Sequence, residues 1–102
     1  MAISPAFQNF AKEAPQQYVA WFQAVTELGK ASALDAKTQS LVYIGILAAM
    51  RLEGGLAFHV QEAKAHGASR NEIIGAILAG LPAVGNCATQ ALPAALQSFD
   101  ND

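Results

Sequence analysis

The sequence predicts an all-α protein, and three observations support this fold class. Apolar residues recur at helical spacing in several segments, and no stretch alternates apolar and polar residues for long enough to form a strand. A capping box at Ser69–Glu72 also precedes one of the apolar runs directly. With 102 residues, the chain is expected to form one domain spanning residues 1–102.

The first helix is predicted from Pro15 to Leu28, with Gly29 as its left-handed stop. The segment Pro5–Ala14 is interpreted as an extension of this helix. The aromatic side chains between Pro15 and Leu28 repeat at helical spacing, a pattern more typical of a core or a subunit interface than of a ligand pocket. These residues are Tyr18, Trp21 and Phe22.

The next helix is predicted from Ala36 to about Leu52, with Asp35 as its N-cap. Its middle is apolar nearly all round, so we expect it to be buried on most faces. Gly54-Gly55 then interrupts the pattern. Because a short connection favours antiparallel packing, we expect a helical hairpin around these two glycines.

The second helix of this hairpin is predicted from Glu53 to His66, with Gly67 as a left-handed stop. One face carries His59 among apolar neighbours, and the other carries polar residues. Beyond it, the capping box predicts a helix from about Arg70 to Pro82. The C-terminal piece has uncertain boundaries, because Pro93 either kinks a helix or opens a new one.

The composition excludes several classes of protein. Hydrophobic residues make up 53% and charged residues 14% of the chain, which is more apolar surface than a small monomer can easily bury, so a homo-oligomer is expected. The net charge of -2 and the scattered basic residues provide no nucleic-acid or membrane-surface patch. The apolar runs are shorter than a membrane span, and no secretory signal is visible, so the expected location is cytoplasmic.

Three segments, in this order, resemble the carboxymuconolactone decarboxylase family. Lys37–Met50 is similar to the apolar helix that opens the family core. His59–Ile73 resembles the family stretch HxxxAxxxGAsxxEI, and Ala79–Ala88 is similar to the small-residue segment that follows. The resemblance covers roughly the last two-thirds of the chain.

The resemblance implies an alkylhydroperoxidase D-like helical bundle with a central antiparallel hairpin. It also implies assembly into trimers or hexamers, with pockets near the subunit contacts. Two branches of the family are relevant, namely thiol peroxidases and decarboxylases that act on a carboxylated muconolactone.

The peroxidase branch carries a CxxCxxxH motif, but its two cysteine positions are occupied here by Leu52 and Gly55. A thiolate that attacks the peroxide and a second thiol that resolves the sulfenic acid are therefore both missing. Ser40 stands where that branch has its proton-relay glutamate. The only cysteine, Cys87, is interpreted as a buried apolar residue, and its use as a peroxidase thiol remains an alternative.

The decarboxylase branch is closer, since it also lacks a cysteine pair before its histidine. The resemblance then implies a lyase that acts on a small carboxylated lactone or organic acid, with His59 in proton transfer and with Ser40 and Glu53 as substrate-binding residues. The chain departs from that branch at Ala83–Cys87, which lacks the expected tyrosine and proline.

Other interpretations of these residues stay open. An imidazole titrates near pH 7 and suits acid-base catalysis, but His59 can equally be a structural histidine among apolar side chains. Glu53 is either its carboxylate partner or a charge that favours a helix N-terminus. The whole chain can also be a non-catalytic ligand-binding or assembly member of the fold. No metal site or other cofactor is expected, since the two histidines fit no usual ligand spacing.

Overall fold

The computed structural model describes residues 3–101 and confirms the all-α class, since this part of the chain contains helices and no strand. Within the described residues, seven α-helices follow one another, and two 3-10 helices, Glu53–Gly55 and Gly85–Ala91, connect some of them. The α-helices are α1 (Pro5–Glu13), α2 (Pro15–Ala31), α3 (Ala36–Ala49), α4 (Leu56–Ala65), α5 (Arg70–Leu78), α6 (Leu81–Val84) and α7 (Leu92–Asp100).

The predicted central hairpin is formed by α3 and α4, which pack against each other. The carboxylate of Asp35 accepts a hydrogen bond from the backbone N–H of Thr38 at 2.8 Å, which confirms the predicted cap of α3. The helix ends before the predicted Leu52, because Arg51 adopts a left-handed conformation with φ 60°. The backbone N–H of Leu52 then bonds back to the carbonyl of Leu47, which closes the helix end.

Helix α4 ends with the same type of turn, and here Gly67 supplies the left-handed residue, with φ 93°. The predicted stop at Gly67 is therefore confirmed. The face of α4 that carries Leu56, Val60 and Ala63 is fully buried against the rest of the core. This burial fixes the rotation of α4 about its axis.

The capping box that starts α5 is present with both of its hydrogen bonds. The backbone N–H of Glu72 donates to Ser69 Oγ at 3.1 Å, and the backbone N–H of Ser69 donates to Glu72 Oε1 at 2.9 Å. The helix ends at Leu78 rather than near Pro82, because a proline ring clashes with the carbonyl four residues earlier. Pro82 lies instead in the first turn of the short helix α6.

Helices α3 and α5 approach each other closely at Gly45. A Cβ atom on Gly45 would lie 2.8 Å from the backbone oxygen of Ala76. No larger residue fits there without moving one of the helices, so the glycine compensates for its low helix propensity by allowing this contact.

The core between α3, α4, α5 and α7 is built from Ile44, Leu47, Ala48, Leu56, Val60, Ala63, Ala68, Ile73, Ile77, Ala91 and Ala95. Only Ile44, Leu47 and Ala48 of α3 are buried, which corrects the expectation that this helix is buried on most faces.

Pro93 opens a new helix, since it lies in the first turn of α7. Helix α7 packs against α4 and α5. At its end, the Asp100 carboxylate accepts two hydrogen bonds from Arg70, at 2.9 and 3.0 Å, and so ties α7 to the start of α5. We call the part of the chain from α3 to α7 the helical body.

The N-terminal segment forms two helices instead of one extended helix, because Pro15 forces Ala14 out of helical geometry, with φ -136° and ψ 60°. The predicted stop at Gly29 is not used, and α2 continues to Ala31. Helices α1 and α2 pack on each other through aromatic rings and bury no residue completely. The rings of this N-terminal hairpin belong to Phe7, Phe10, Tyr18, Trp21 and Phe22, with centroids 5.4 to 6.3 Å apart.

One helical stretch within residues 3–101, Arg70–Asp100, is long and apolar enough by length and composition to cross a membrane. This is weak evidence, since the core of a soluble helical protein passes the same test. The stretch is also not one straight rod, because α5 and α7 lie within it and contact each other.

Candidate active site

His59 lies in the second turn of α4, on the side that faces α3, and it is half-buried. Its ring meets the ring of Tyr43 from α3, with centroids 4.3 Å apart and planes inclined by 65°. The ring of Phe58 lies on another side, with its centroid 5.1 Å away. The imidazole is therefore held between two aromatic rings at the junction of the two hairpin helices.

Gly55 leaves room beside this ring. A Cβ atom on Gly55 would lie 3.8 Å from His59 Cδ2, which is ordinary van der Waals contact. Gly55 is one helical turn before His59, so a larger side chain there would cover the Cδ2 edge of the imidazole. The glycine keeps that edge accessible.

The nitrogen atoms of His59 have no protein partner in the described part of the chain. Among residues 3–101, neither ring nitrogen takes part in a hydrogen bond or an ion pair, and no buried side-chain nitrogen or oxygen in that range lacks a partner. The nitrogens are thus not sealed inside the core.

Partial burial lowers the pKa of His59 below its ordinary value, because desolvation disfavours the charged imidazolium. The nearby carboxylate of Glu62 acts in the opposite direction, and its effect is the smaller of the two. Since the ordinary pKa of histidine is about 6.5, the ring of the free protein is mostly neutral at pH 7.

Ser40 lies on α3, one turn before Tyr43, and is half-buried. Side chains three residues apart project from the same side of a helix, so Ser40 and Tyr43 share the side of α3 that turns toward α4. The hydroxyl of Ser40 forms no hydrogen bond among the described residues. It is available as a donor or acceptor near the Tyr43–His59 contact.

Glu53 occupies the 3-10 helix before α4, where its carboxylate accepts a hydrogen bond from Arg51 Nε at 3.0 Å. Within residues 3–101 it forms no ion pair with His59, and the carboxylate that acts on the pKa of His59 is that of Glu62. The structure therefore brings His59 near α3 and pairs Glu53 with the left-handed Arg51.

The sequence analysis singles out neither Tyr43 nor Phe58, whose rings contact His59. Tyr43 lies in the apolar middle of α3, and only the register of α3 against α4 shows that its ring touches His59. The available signal was its spacing of three residues from Ser40, which places both on one helix side.

Cys87 is half-buried in the 3-10 helix Gly85–Ala91, and its thiol donates to the carbonyl oxygen of Val84 at 3.2 Å. No other cysteine exists in the sequence to resolve an oxidised thiol. Residues 3–101 also contain no group of three histidine, cysteine, aspartate or glutamate side chains placed to hold a metal ion.

The chain belongs to the carboxymuconolactone decarboxylase family, whose pattern matches residues 13–97. This match confirms the resemblance that Lys37–Met50, His59–Ile73 and Ala79–Ala88 indicate. No curated protein matches the sequence at a significant level.

A solved structure shares the fold. The apo crystal structure of a carboxymuconolactone decarboxylase family protein from Legionella pneumophila superposes with a TM-score of 0.80 at 24% sequence identity. The alignment covers 94% of this chain and 86% of that one. At this level of identity the likeness confirms the helical architecture.

Proposed function

We propose that this protein is a carboxymuconolactone decarboxylase-like lyase that removes a carboxylate from a small lactone or organic acid, with His59 transferring the proton. Family membership over residues 13–97 supports the reaction class. The observation that carries the assignment to His59 is its half-buried ring, whose nitrogens have no protein partner within residues 3–101.

The lowered pKa of His59 suits an anionic substrate. A carboxylate that binds beside the ring favours the imidazolium, since opposite charges raise the pKa of a histidine. Substrate binding thus draws a proton from water onto a ring that is neutral in the free protein. The aromatic rings of Tyr43 and Phe58 exclude water from two sides and so strengthen this electrostatic effect.

The proposed steps balance as follows. The carbon–carbon bond to the carboxylate breaks, CO2 leaves, and the electron pair moves into the conjugated lactone as an enolate. The enolate carbon then takes the proton from the His59 imidazolium, which returns to its neutral form. General acid catalysis of this kind contributes roughly a factor of 10² to 10⁴ in rate.

Ser40 and Glu53 are proposed as substrate-binding residues. The Ser40 hydroxyl is unpaired within the described part of the chain and lies on the same side of α3 as Tyr43. Glu53 positions the guanidinium of Arg51 through its 3.0 Å ion pair, and a guanidinium is well suited to bind a carboxylate. For Ser40→Ala and Glu53→Gln we expect a raised KM with little change in kcat, because they hold the substrate without transferring its proton.

The test is CO2 release from carboxymuconolactone by the wild type, His59→Asn and His66→Asn. His66 is a matched control, since it is an exposed histidine at the end of the same helix. We expect His59→Asn to lower kcat/KM by about 100-fold or more and His66→Asn to leave it unchanged. Equal activity of all three proteins would rule out the role of His59.

A non-catalytic ligand-binding member of the fold is the second candidate. It is favoured by one observation, namely that no carboxylate within residues 3–101 forms an ion pair with His59 to orient it. Titration calorimetry with carboxymuconolactone separates the two candidates. Binding without any CO2 release would favour this alternative, and measurable turnover would exclude it.

The cellular setting proposed here is the cytoplasm, without nucleic-acid or membrane partners. The net charge of -2 and the six scattered basic residues support it, since binding of nucleic acid or anionic membranes requires clustered positive charge.

A further inference from the structure

Arg51 has a strained backbone. Within residues 3–101 it is the one residue other than glycine with a left-handed conformation, at φ 60°. It ends α3 as Gly67 ends α4, where φ is 93°. Glycine adopts this conformation without strain, whereas the Cβ atom of another residue comes too close to the following carbonyl oxygen. Glycine would therefore suit the end of α3 better, and the arginine makes the fold less stable than a glycine would.

The contacts of the Arg51 side chain within the chain do not compensate for this strain. Its guanidinium forms one ion pair among the described residues, from Nε to Glu53 Oε2 at 3.0 Å. The two side chains are 50% and 35% exposed, and water screens such a pair so that it adds little stability. Nη1 and Nη2 donate no hydrogen bond within residues 3–101. Because strained residues concentrate at ligand sites, these two groups are candidates for binding a ligand.

Arg51 is also the basic residue at the turn end of the α3–α4 hairpin. The sequence contains six lysine and arginine residues. Of the other five, three donate hydrogen bonds to acceptors of the helical body and two belong to the N-terminal hairpin. The first three are Lys37, Lys64 and Arg70, and the other two are Lys12 and Lys30.

In the sequence, a single 3-10 turn lies between the arginine and the helix that carries His59. Glu53 begins this turn and accepts the hydrogen bond from Arg51, and Gly55 ends it. A Cβ atom on Gly55 would lie 3.8 Å from His59 Cδ2, so the end of the turn is beside the imidazole. Since a 3-10 helix rises by about 2 Å per residue, Glu53 and Gly55 are about 4 Å apart along its axis. The guanidinium and the imidazole therefore belong to the same end of the hairpin.

We propose that the Nη groups of Arg51 bind the carboxylate that the substrate retains, while its other carboxylate is lost as CO2 beside His59. Carboxymuconolactone carries two carboxylates, and decarboxylation removes one of them. A guanidinium binds a carboxylate through two parallel N–H donors and is always charged. The proposal rests on the decarboxylation proposed for His59. It also explains why α3 ends at an arginine, because stability is given up for binding.

The first measurement is the thermal stability of Arg51→Gly. This substitution removes the guanidinium and relieves the strained backbone at the same time. We expect its melting temperature to equal that of the wild type or to exceed it by up to about 5 °C. A melting temperature several degrees lower would show that the arginine serves the fold, and this would contradict the proposal.

The second measurement is titration calorimetry with muconolactone, which carries only the carboxylate that the substrate would retain. We expect Arg51→Gly to raise its Kd by at least about 10-fold, since a hydrogen-bonded charge is lost. Arg51→Lys should raise it less, because lysine keeps the charge without the planar pair of donors. Lys30→Gln removes a charge from an exposed side chain of α2 and should leave the Kd unchanged.

The methyl ester of muconolactone is the matched control for the ligand. It lacks the negative charge, so we expect the wild type and Arg51→Gly to bind it equally. Equal affinity of the two proteins for muconolactone itself would overturn the proposal. So would a loss of affinity for the ester as large as that for the acid, because that loss would come from a changed fold.

The same variants separate this proposal from the one for His59. If muconolactone binding depends on Arg51 but His59→Asn releases CO2 as the wild type does, the arginine keeps its role and the proton transfer by His59 is excluded. If His59→Asn loses CO2 release while Arg51→Gly keeps the wild-type KM and Kd, the arginine has no role in binding. A wild type that binds no muconolactone would also contradict the role of Arg51.

Discussion

The helical body and the N-terminal hairpin use apolar residues in different ways. In the body, residues such as Ile44, Ile73 and Ile77 are completely buried by other parts of the same chain. In the hairpin, aromatic rings contact one another, yet no residue of α1 or α2 is buried. A core of its own therefore stabilises the body, whereas the hairpin leaves its apolar side chains half-buried or exposed.

The largest expected effect comes from the same substitution made in both regions. Val60 in α4 is fully buried, and Val19 in α2 is 52% exposed. We expect Val60→Ala to lower the free energy of unfolding by about 2–3 kcal/mol, because it removes two buried methyl groups and leaves a cavity. Urea unfolding measures the free energy of unfolding of both variants. Val19→Ala should lower it by less than about 0.5 kcal/mol. Equal losses would show that the hairpin has a core of its own.

A smaller effect for each single substitution is expected at two glycines of the body helices. Gly45→Ala places a methyl group against the backbone oxygen of Ala76, whereas Gly75→Ala in α5 meets no atom within 4 Å. We expect the first substitution to destabilise the protein by about 1–2 kcal/mol through overpacking. The second should stabilise it by up to about 1 kcal/mol through helix propensity. Thermal unfolding of both variants checks this contrast, and a neutral Gly45→Ala would contradict the close approach of α3 and α5.

A third contrast compares glycines in the two regions. Gly67 ends α4 with φ 93°, whereas Gly29 lies inside α2, where a Cβ atom would meet no atom within 4 Å. We expect Gly67→Ala to cost about 1 kcal/mol, because an L-residue is strained in that conformation. Gly29→Ala should add helix content to the hairpin, which circular dichroism measures. Loss of helix in Gly29→Ala would mean that α2 ends at this glycine in solution.

The smallest expected effect is the contribution of His59 to the pH dependence of the free energy of unfolding. Its pKa is lower in the folded protein than in the unfolded chain, so the unfolded chain binds more protons between the two pKa values. His59 therefore makes the folded state less stable as the pH falls through the window just below about 6.5. For His59→Asn we expect the free energy of unfolding, measured by denaturant titration, to change less with pH between pH 7 and pH 5. An unchanged slope would place the ring in solvent.

The carboxylates affect the stability of the folded state in a separate pH range. The backbone N–H groups of Ser69 and Thr38 hold the pKa values of Glu72 and Asp35 below their ordinary range, and Arg70 does the same for Asp100. Their contribution to stability is lost only at more acidic pH, below about 4.5. The slope between pH 7 and pH 5 therefore reports on His59 without interference from these groups.

Local signals in the sequence predicted the fold well where one residue type has one physical role. The capping box of Ser69 and Glu72 and the left-handed Gly67 were both recognisable, since each satisfies backbone groups within a few residues. Gly29 looked the same in the sequence, but nothing in α2 requires a left-handed residue there. The left-handed Arg51 gave no signal, because arginine rarely adopts that conformation.

The candidate site was only partly predictable, because its contacts cross from one helix to another. The position of His59 on the inner side of α4 followed from helical spacing. Its contact with Tyr43 depends on the register between α3 and α4, which the buried side chains of both helices set together. The ion pair of Glu53 with Arg51 likewise depends on how the turn between these helices folds.

The central claim is that His59 is a half-buried, neutral imidazole with accessible nitrogens at pH 7. An NMR titration of its ring resonance in the His66→Gln variant, which leaves a single histidine in the chain, measures this property. We predict a midpoint below the ordinary histidine value of about 6.5, moving upward when a carboxylate ligand is added. A midpoint at or above that value in the free protein, unaffected by the ligand, would contradict the account.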